Sequence, residues 1–579
     1  MPVGRSGATR LQDFRLGVGV AQHALVAGKT GSGKSSLLHT LITNLCLWYP
    51  PDQLELYLID FKKGVEFKPY VNHRPPHLRA VAIESDREFG LSIFKRLDAM
   101  LDERGEKFRA AGVANLSGYH KAAPDDPMPR VMLIIDEFQE MFSQDDAIAQ
   151  NATLLLDRLV RQGRAFGMHV FLGSQSLSGA AGLPRGTMGQ MAVRIALQCS
   201  KNDSQLILGD ENSAARLLSR PGEAIYNDQG GSLEANNLFQ VAWLPDHELR
   251  QNLDRIRELA EQRGVPPKEC FVFEGNAAAS LADNVPLNRL LNAPEWPAAD
   301  PGSIGSVATA YLGEPIAIDD PIGVTFPRLH GANAVILGQN ADATLGLLTT
   351  SILGLAAGHH PDRARFVVMS GSTEPEHDAL VRDTLAALPH GVAQVPFRDV
   401  DSTLAELHAE LKRRIEDGGH EDPAIFIAVF GLQRFRQFKK SDDGFSFSLD
   451  DTPESRDTKP DEQILEILRD GPVVGIHLLV VCDRAASLEQ VFDRRALRGF
   501  DNRIMFQMSA TDSAQLIDSS AANDLGPYRA LLYREDRGTI ARFRPYGVPT
   551  RDDLLRFERA LSRPPRDPSP SPRRPGNPA

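Results

Sequence analysis

With 579 residues the chain is too long for one ordinary domain and has room for two large α/β units. Its 24% charged and 42% hydrophobic residues are those of a globular protein, and a net charge of -12 excludes a chain that coats nucleic acid over its whole surface, though not a few basic loops around a channel. Cys46, Cys199, Cys270 and Cys482 lie far apart, which excludes a zinc cage or a disulfide framework and leaves buried thiols, and neither a signal-peptide pattern nor an uninterrupted apolar run of spanning length is found, so a cytoplasmic chain with no membrane segment is expected.

In chain order, the first informative feature is the apolar run Ala24 to Ala27, followed by Gly28-Lys29-Thr30-Gly31-Ser32-Gly33-Lys34-Ser35-Ser36 and an amphipathic run from Leu37. A strand, a glycine-rich turn and a helix start are the context of a phosphate-binding loop. Glycines let backbone N–H groups turn toward a triphosphate, the helix N-terminus adds partial positive charge, Lys34 reaches the β- and γ-phosphates, and the Ser35 hydroxyl can ligate Mg2+. ATP with Mg2+ is therefore the expected ligand of residues 28–36.

Leu54 to Ile59 reads as a strand, Phe89 to Phe108 as a helix and Val131 to Ile135 as a buried strand that ends in Asp136-Glu137. Two carboxylates at the carboxyl end of a strand lie where open α/β sheets bind ligands; Asp136 is assigned to the metal and Glu137 to the attacking water. A helix from Ala152 to Arg164 and a strand from Met168 to Gly173 follow, an alternation that implies a mostly parallel sheet with helices on both faces. The module boundaries read as 1–246 for this unit, 247–303 for a connecting segment and linker, 304–563 for a second unit, and 564–579 for a disordered tail rich in proline and arginine.

The second unit reads as a degenerate copy of the first. Asn333 to Gly338 repeats His23 to Gly28, Gly475-Ile476-His477 repeats Gly167-Met168-His169, and Arg503 to Ser509 with Asp512-Ser513 repeats Arg194 to Ser200 with Asp203-Ser204, all at an offset near 310. Thr344 stands where Lys34 does, Leu345 where Ser35 does, and Phe430-Gly431 replaces Asp136-Glu137, so this copy is expected to be catalytically dead. Between its repeat segments, Arg434 to Glu462 reads as a mobile insertion.

The string His23 to Ser35, the Asp136-Glu137 strand end, Arg161 to His169, Gly173-Ser174-Gln175 and Arg194 to Ser204 together resemble the motor domain of the FtsK/SpoIIIE family. That resemblance implies two RecA-like P-loop modules, the second degenerate, in a homo-oligomeric, hexameric ring that hydrolyses ATP and pumps double-stranded DNA. It also implies that Gln175 senses the γ-phosphate, and it offers Arg161, Arg164 and Arg194, with Arg87 behind them, as the cation supplied to a neighbouring subunit's site. Asp60 to Gly64 resembles a family element beside the nucleotide, and Ser176 to Gly182 is a loop that could face a pore. No winged-helix segment follows the motor. A live module followed by a dead one resembles the tandem ATPases of type VII secretion, which move proteins, and that is the alternative to DNA translocation, with the dead copy as a binding platform. The first unit starts almost at Met1, which leaves open an amino-terminal region not in this sequence.

Overall fold

The computed structural model describes residues 1–62, 66–83, 86–177, 185–266, 268–294, 296, 308–419, 422–440 and 458–562. The tail 564–579, most of the expected pore loop, much of the expected linker after Ala293 and the centre of the insertion 434–462 lie outside them. The chain divides into two units, Met1–Asn276 with Ile316–Ile318, and Ala277–Pro315 with Asp319–Ala579.

In the first unit the strands are β1 (Pro2–Ser6), β2 (Arg10–Asp13), β3 (Ala24–Ala27), β4 (Leu54–Asp60), β5 (Leu78–Ile83), β6 (Arg130–Asp136), β7 (Met168–Ser174), β8 (Val193–Leu197), β9 (Glu223–Asn227), β10 (Asn237–Val241) and β11 (Phe271–Glu274). They form one sheet in the order β11-β5-β4-β6-β7-β3-β8-β9-β10-β1-β2. From β11 to β8 every pairing is parallel, and from β8 onward every pairing is antiparallel. The side chains alternate between two cores: Leu25, Leu133 and Ile135 face the helices Arg87–Ala110 and Ala147–Phe166, while Val26, Met132 and Ile134 face the helix Lys34–Trp48.

The strands of the second unit are β12 (Thr309–Pro315), β13 (Ile322–Thr325), β14 (Ala334–Leu337), β15 (Ala364–Ser370), β16 (Gly391–Val395), β17 (Ala424–Phe430), β18 (Ile476–Cys482), β19 (Asn502–Met505), β20 (Ala530–Arg534) and β21 (Thr539–Pro545). Their order, β16-β15-β17-β18-β14-β19-β20-β21-β12-β13, reproduces that of the first unit strand for strand, without a counterpart of β11. The likeness reaches single hydrogen bonds. His169 Nδ1 lies 2.9 Å from the Gln22 carbonyl and His477 Nδ1 2.8 Å from the Ala332 carbonyl, and the caps Ser200 and Ser509 accept from the amides of Asp203 and Asp512.

Three features depart from the sequence reading. Residues 247–276, expected in a connecting segment, belong to the first unit: the helix Asp246–Gln262 packs on Lys34–Trp48 and β11 pairs with β5. Each sheet is mostly parallel, as the alternation implies, and adds an antiparallel end that the alternation does not imply. The helix Ala341–Gly358 is, by length and composition, apolar enough to cross a membrane, yet 78% of it is buried inside the protein. Its hydroxyls hid that character in the sequence: Thr349 and Ser351 donate to the carbonyls of Leu345 and Leu347 one turn back, which satisfies them without water.

Arg194 and Arg503 are equivalent packing residues. Arg194 donates to the carbonyls of Met191 and Ile207 at 3.2 and 3.0 Å. Arg503, buried, donates to those of Phe500, Leu497 and Leu516 and pairs with Glu535 at 3.0 Å. Truncating either takes the side-chain donor from two or three backbone carbonyls, and for Arg503 also an ion pair; Arg503→Ala is expected to lower the unfolding free energy by about 3 kcal/mol. Urea denaturation of the full chain, followed by far-UV circular dichroism, checks this through an earlier transition of the second unit.

Candidate functional site

The turn after β3 can be built only with glycine. A Cβ on Gly28 would lie 2.5 Å from Ser32 Oγ and 2.8 Å from Leu197 Cβ, and Gly31 and Gly33 have φ of +78° and +102°. Lys29, Thr30 and Gly31 are exposed at its tip, whereas the Ser32 hydroxyl is buried with no hydrogen-bond partner. An unpaired donor in a glycine-built concavity fits an anionic oxygen.

The helix that follows starts at Lys34 with Gly33 as its cap. Lys34 is buried, and its ammonium contacts Asp136 and, at 2.6 Å, Glu137 Oε1. Burial works to lower the Lys34 pKa, but the two carboxylates more than offset it, so the ammonium is held above its usual range. Asp136 ends β6 beside β7, where Gly173 leaves it space: a Cβ there would lie 2.7 Å from Asp136 Oδ1.

Glu137 is the next residue and turns the chain with φ +52° and ψ +45°, a left-handed conformation that costs a non-glycine residue about 1 kcal/mol. Its Oε2 accepts from Gln139 Nε2 at 2.6 Å and from the Gln175 amide at 3.2 Å. The Gln175 side-chain oxygen accepts from Thr30 Oγ1 at 3.1 Å and from Lys62 Nζ at 2.7 Å. The structure thus brings together Thr30, Lys34, Asp136, Glu137 and Gln175 around the turn. Ser35 donates to Glu66 Oε1 at 2.7 Å, and Ser36 is half-buried beside it.

Two further acids complete the wall, and of these only Asp60, in the stretch Asp60 to Gly64, is singled out by the sequence reading. Glu66 is one. Asp60 is the other; it ends β4 in register with Asp136, accepts from the Lys62 amide at 3.0 Å through Oδ1, and leaves Oδ2 buried without a partner. Burial, reinforced by Asp136 and Glu66, pushes its carboxyl up to about 7. The strand pairing is the physical reason for its place, since an acid one strand over from Asp136 must share its end of the sheet.

The arginines are placed apart from this cluster of contacts. Arg194 is committed to packing, as above, and the equivalent Arg503 in the copy that lacks the lysine and carboxylates makes the same kind of contacts. Arg87 is clamped on both oxygens of Asp146 at 2.8 Å. Arg161 pairs with Asp157 at 2.7 Å on the exposed side of the helix Ala147–Phe166, where Arg164 is also exposed.

The corresponding region of the second unit is built differently. Only Gly338-Gln339-Asn340 separates β14 from its helix, so an additional helical turn capped by Asn340 replaces the glycine cradle. Thr344 is buried and donates to the Ala341 carbonyl, and Leu345 is in the core. At the end of β17, Phe430 packs against His377, which holds Asp342 and Glu374 at 3.0 and 3.2 Å. Carboxylates where a phosphate would approach are the wrong sign for binding it. Gly431 takes the left-handed position of Glu137, with φ +76°.

A strand, a glycine cradle with a helix-capped lysine and a pair of strand-end carboxylates define a P-loop ATPase domain. Residues 16–179 match the model of the FtsK/SpoIIIE family, and the chain carries an ATPase domain of that family. The ESX-5 secretion system protein EccC5 of Mycobacterium tuberculosis is 26% identical over 88% of this chain and 41% of its own length. A DNA translocase FtsK of Streptococcus pyogenes is 28% identical over 49% of the chain and 36% of its own length. The chain thus spans about two fifths of the length of the curated relatives it matches. Among solved structures, the cytoplasmic domain of the type VII secretion ATPase EccC of Thermomonospora curvata superposes with a TM-score of 0.62 at 21% identity, covering 97% of this chain and 66% of that one. EssC ATPases 2 and 3 of Geobacillus thermodenitrificans give 0.56 at 15% identity, covering 95% and 96%. ATPases 2 and 3 of the Thermomonospora EccC, in complex with a signal sequence peptide, give 0.51 at 16% identity, covering 95% and 93%. The fold is that of a tandem of ATPase modules.

A raised carboxyl pKa has a definite sign for stability. Folded Asp60 keeps its proton up to about pH 7 while the unfolded chain releases it near pH 4, so stability falls as pH rises between these values. Asp60→Asn removes that slope, and its gain in unfolding free energy over the parent is expected to be about 1–2 kcal/mol larger at pH 8 than at pH 5. Urea denaturation of the nucleotide-free protein at the two pH values measures the difference.

Proposed function

We propose that the chain is the energy-converting part of a type VII secretion-type ATPase that works on protein substrates in the cytoplasm, with hydrolysis in the first unit and substrate docking on the second. The observation that carries this reading is the extent of the likeness. EccC5 aligns with 88% of the chain, across both units, whereas FtsK aligns with 49%. The DNA-translocase reading draws on the shared motor motifs alone, and a tandem whose second module has lost its cradle, lysine and carboxylates is the arrangement the secretion reading expects. The peptide-bound Thermomonospora tandem supports a peptide as the class of ligand, and the cytoplasmic EccC domain supports the compartment.

In this reading ATP is the substrate of residues 28–36. The Ser32 hydroxyl and the backbone amides of the turn hold its phosphates, and Lys34 leaves Asp136 and Glu137 to pair with the β- and γ-phosphates. Exchange of one set of negative oxygens for another keeps the buried ammonium compensated throughout. Ser35 and Asp136 are the residues that would hold Mg2+, whose charge neutralises the phosphates when it is bound. Glu137, freed from Lys34 and still oriented by Gln139 and the Gln175 amide, accepts a proton from the attacking water. Gln175 releases Lys62 and Thr30 toward the γ-phosphate end of the site. Arg161 or Arg164, exposed on one helix, serves the site of a neighbouring copy in a ring.

Lys34→Ala and Glu137→Gln are expected to reduce ATP turnover by at least 100-fold, Glu137→Gln without loss of nucleotide binding. Thr344→Ala in the second unit is expected to leave turnover unchanged. Turnover measured in one buffer with duplex DNA and with a helical export-signal peptide separates the two polymers: the peptide binds the second unit and DNA gives no stimulation. Stimulation by duplex DNA at low salt with no peptide binding would overturn the secretion reading.

A further inference from the structure

Among the described residues, the Ser35 hydroxyl is the one side-chain donor of residues 28–36 whose hydrogen bond goes to a residue outside the recognised motifs. It has a single proton and donates it to Glu66 Oε1 at 2.7 Å, so its lone pairs face away from Glu66. Asp136, the acid assigned to the metal, is engaged by Lys34. Glu66 itself is held by a chain that runs into the core. His39, one turn along the helix from Ser35, has Nε2 at 3.6 Å from Glu66 Oε2, and its Nδ1 lies 3.0 Å from the hydroxyl of the fully buried Tyr70, on which its ring stacks. Phe67, the neighbour of Glu66, is also fully buried. The carboxylate is thereby anchored on both sides, although it remains about one-third exposed, at 34%.

We propose that Glu66 is a positioning residue for the metal of the nucleotide site: by taking the Ser35 proton it fixes the hydroxyl with its lone pairs free for a divalent cation and makes that oxygen a stronger donor. An acceptor behind a ligand is how metal sites orient weak neutral donors, and its loss typically costs 10–100-fold in metal affinity. A free serine rotor would instead sample its rotamers and offer its proton to the cation in part of them. His39 and Tyr70 keep Glu66 from swinging into the cation's place, so that it acts through Ser35 and does not become a direct ligand. In the second unit Leu345 replaces Ser35, and that unit has no hydroxyl to orient at this position. The proposal rests on the reading of the first unit as a Mg2+-dependent ATPase.

The test uses the full chain and fluorescence of a methylanthraniloyl ATP analogue, titrated with MgCl2 at fixed protein and nucleotide. Glu66→Gln is expected to need 10–100-fold more Mg2+ for half-maximal binding, with nucleotide binding in EDTA unchanged, and Glu66→Asp is expected to recover part of the loss. A Mg2+ midpoint for Glu66→Gln equal to that of the parent overturns the proposal. So does tighter nucleotide binding by Glu66→Gln in EDTA with no change in Mg2+ demand, which would mean that Glu66 only repels phosphate. Thermal melting of each variant shows that its fold is intact, and Glu66→Asp carries the test if Glu66→Gln melts early. A parent chain that binds no nucleotide at any Mg2+ concentration overturns the ATPase reading itself and this inference with it; binding by the parent combined with an unshifted variant overturns the inference alone.

Discussion

A buried ammonium held between two strand-end carboxylates organises the first unit. Lys34 brings the start of a helix, Asp136 and Glu137 the end of β6, and none of the three is tolerable in the core without the others. The glycines of the turn, the space left by Gly173 beside Asp136 and the left-handed backbone at Glu137 are conditions for that contact. It is also provisional by design, because a triphosphate offers the same ammonium a richer set of oxygens. Thr30 on Gln175, Gln175 on Lys62 and Ser35 on Glu66 follow the same logic, these polar groups being parked on partners from the facing wall while the Ser32 hydroxyl has none.

The second unit is the same architecture with that contact removed. Its sheet keeps the strand order, its helix caps keep their serines, and Arg503 keeps the packing role of Arg194, while the turn shortens and its helix gains apolar length. What persists is therefore what folding needs, and what has gone is what phosphate needs. That division gives a physical criterion for sorting the arginines: one kept in both units for backbone carbonyls belongs to the fold. Arg161 and Arg164, on the exposed side of their helix, do not fall in that class.

Much of this was legible in the sequence because glycine, lysine and acid at fixed spacing admit few backbone solutions. The turn from Gly28 to Ser35, the strand ending at Asp136 and the offset near 310 between the two units all belong to that kind of signal. The antiparallel strands β9, β10, β1 and β2 were not legible, since they are only four or five residues long and their sequences lack a clear apolar–polar alternation. Residues 247–276 read as a connection because β11 has four residues and gains its place only by pairing with β5, a contact far away in sequence. Glu66 was invisible for a similar reason. Its meaning comes from where a loop puts it against Ser35, and no residue spacing encodes that.

The backbone at Glu137 carries one more consequence. A site that must hold a carboxylate there accepts a torsion that most side chains resist, and the same corner in the second unit is turned by Gly431 without that burden. Where no carboxylate is held at that corner, the backbone alone decides the position, and the least strained occupant is the residue with no side chain. The corner after the carboxylate strand thus shows what a carboxylate costs there: Glu137 bears a strain that Gly431 does not.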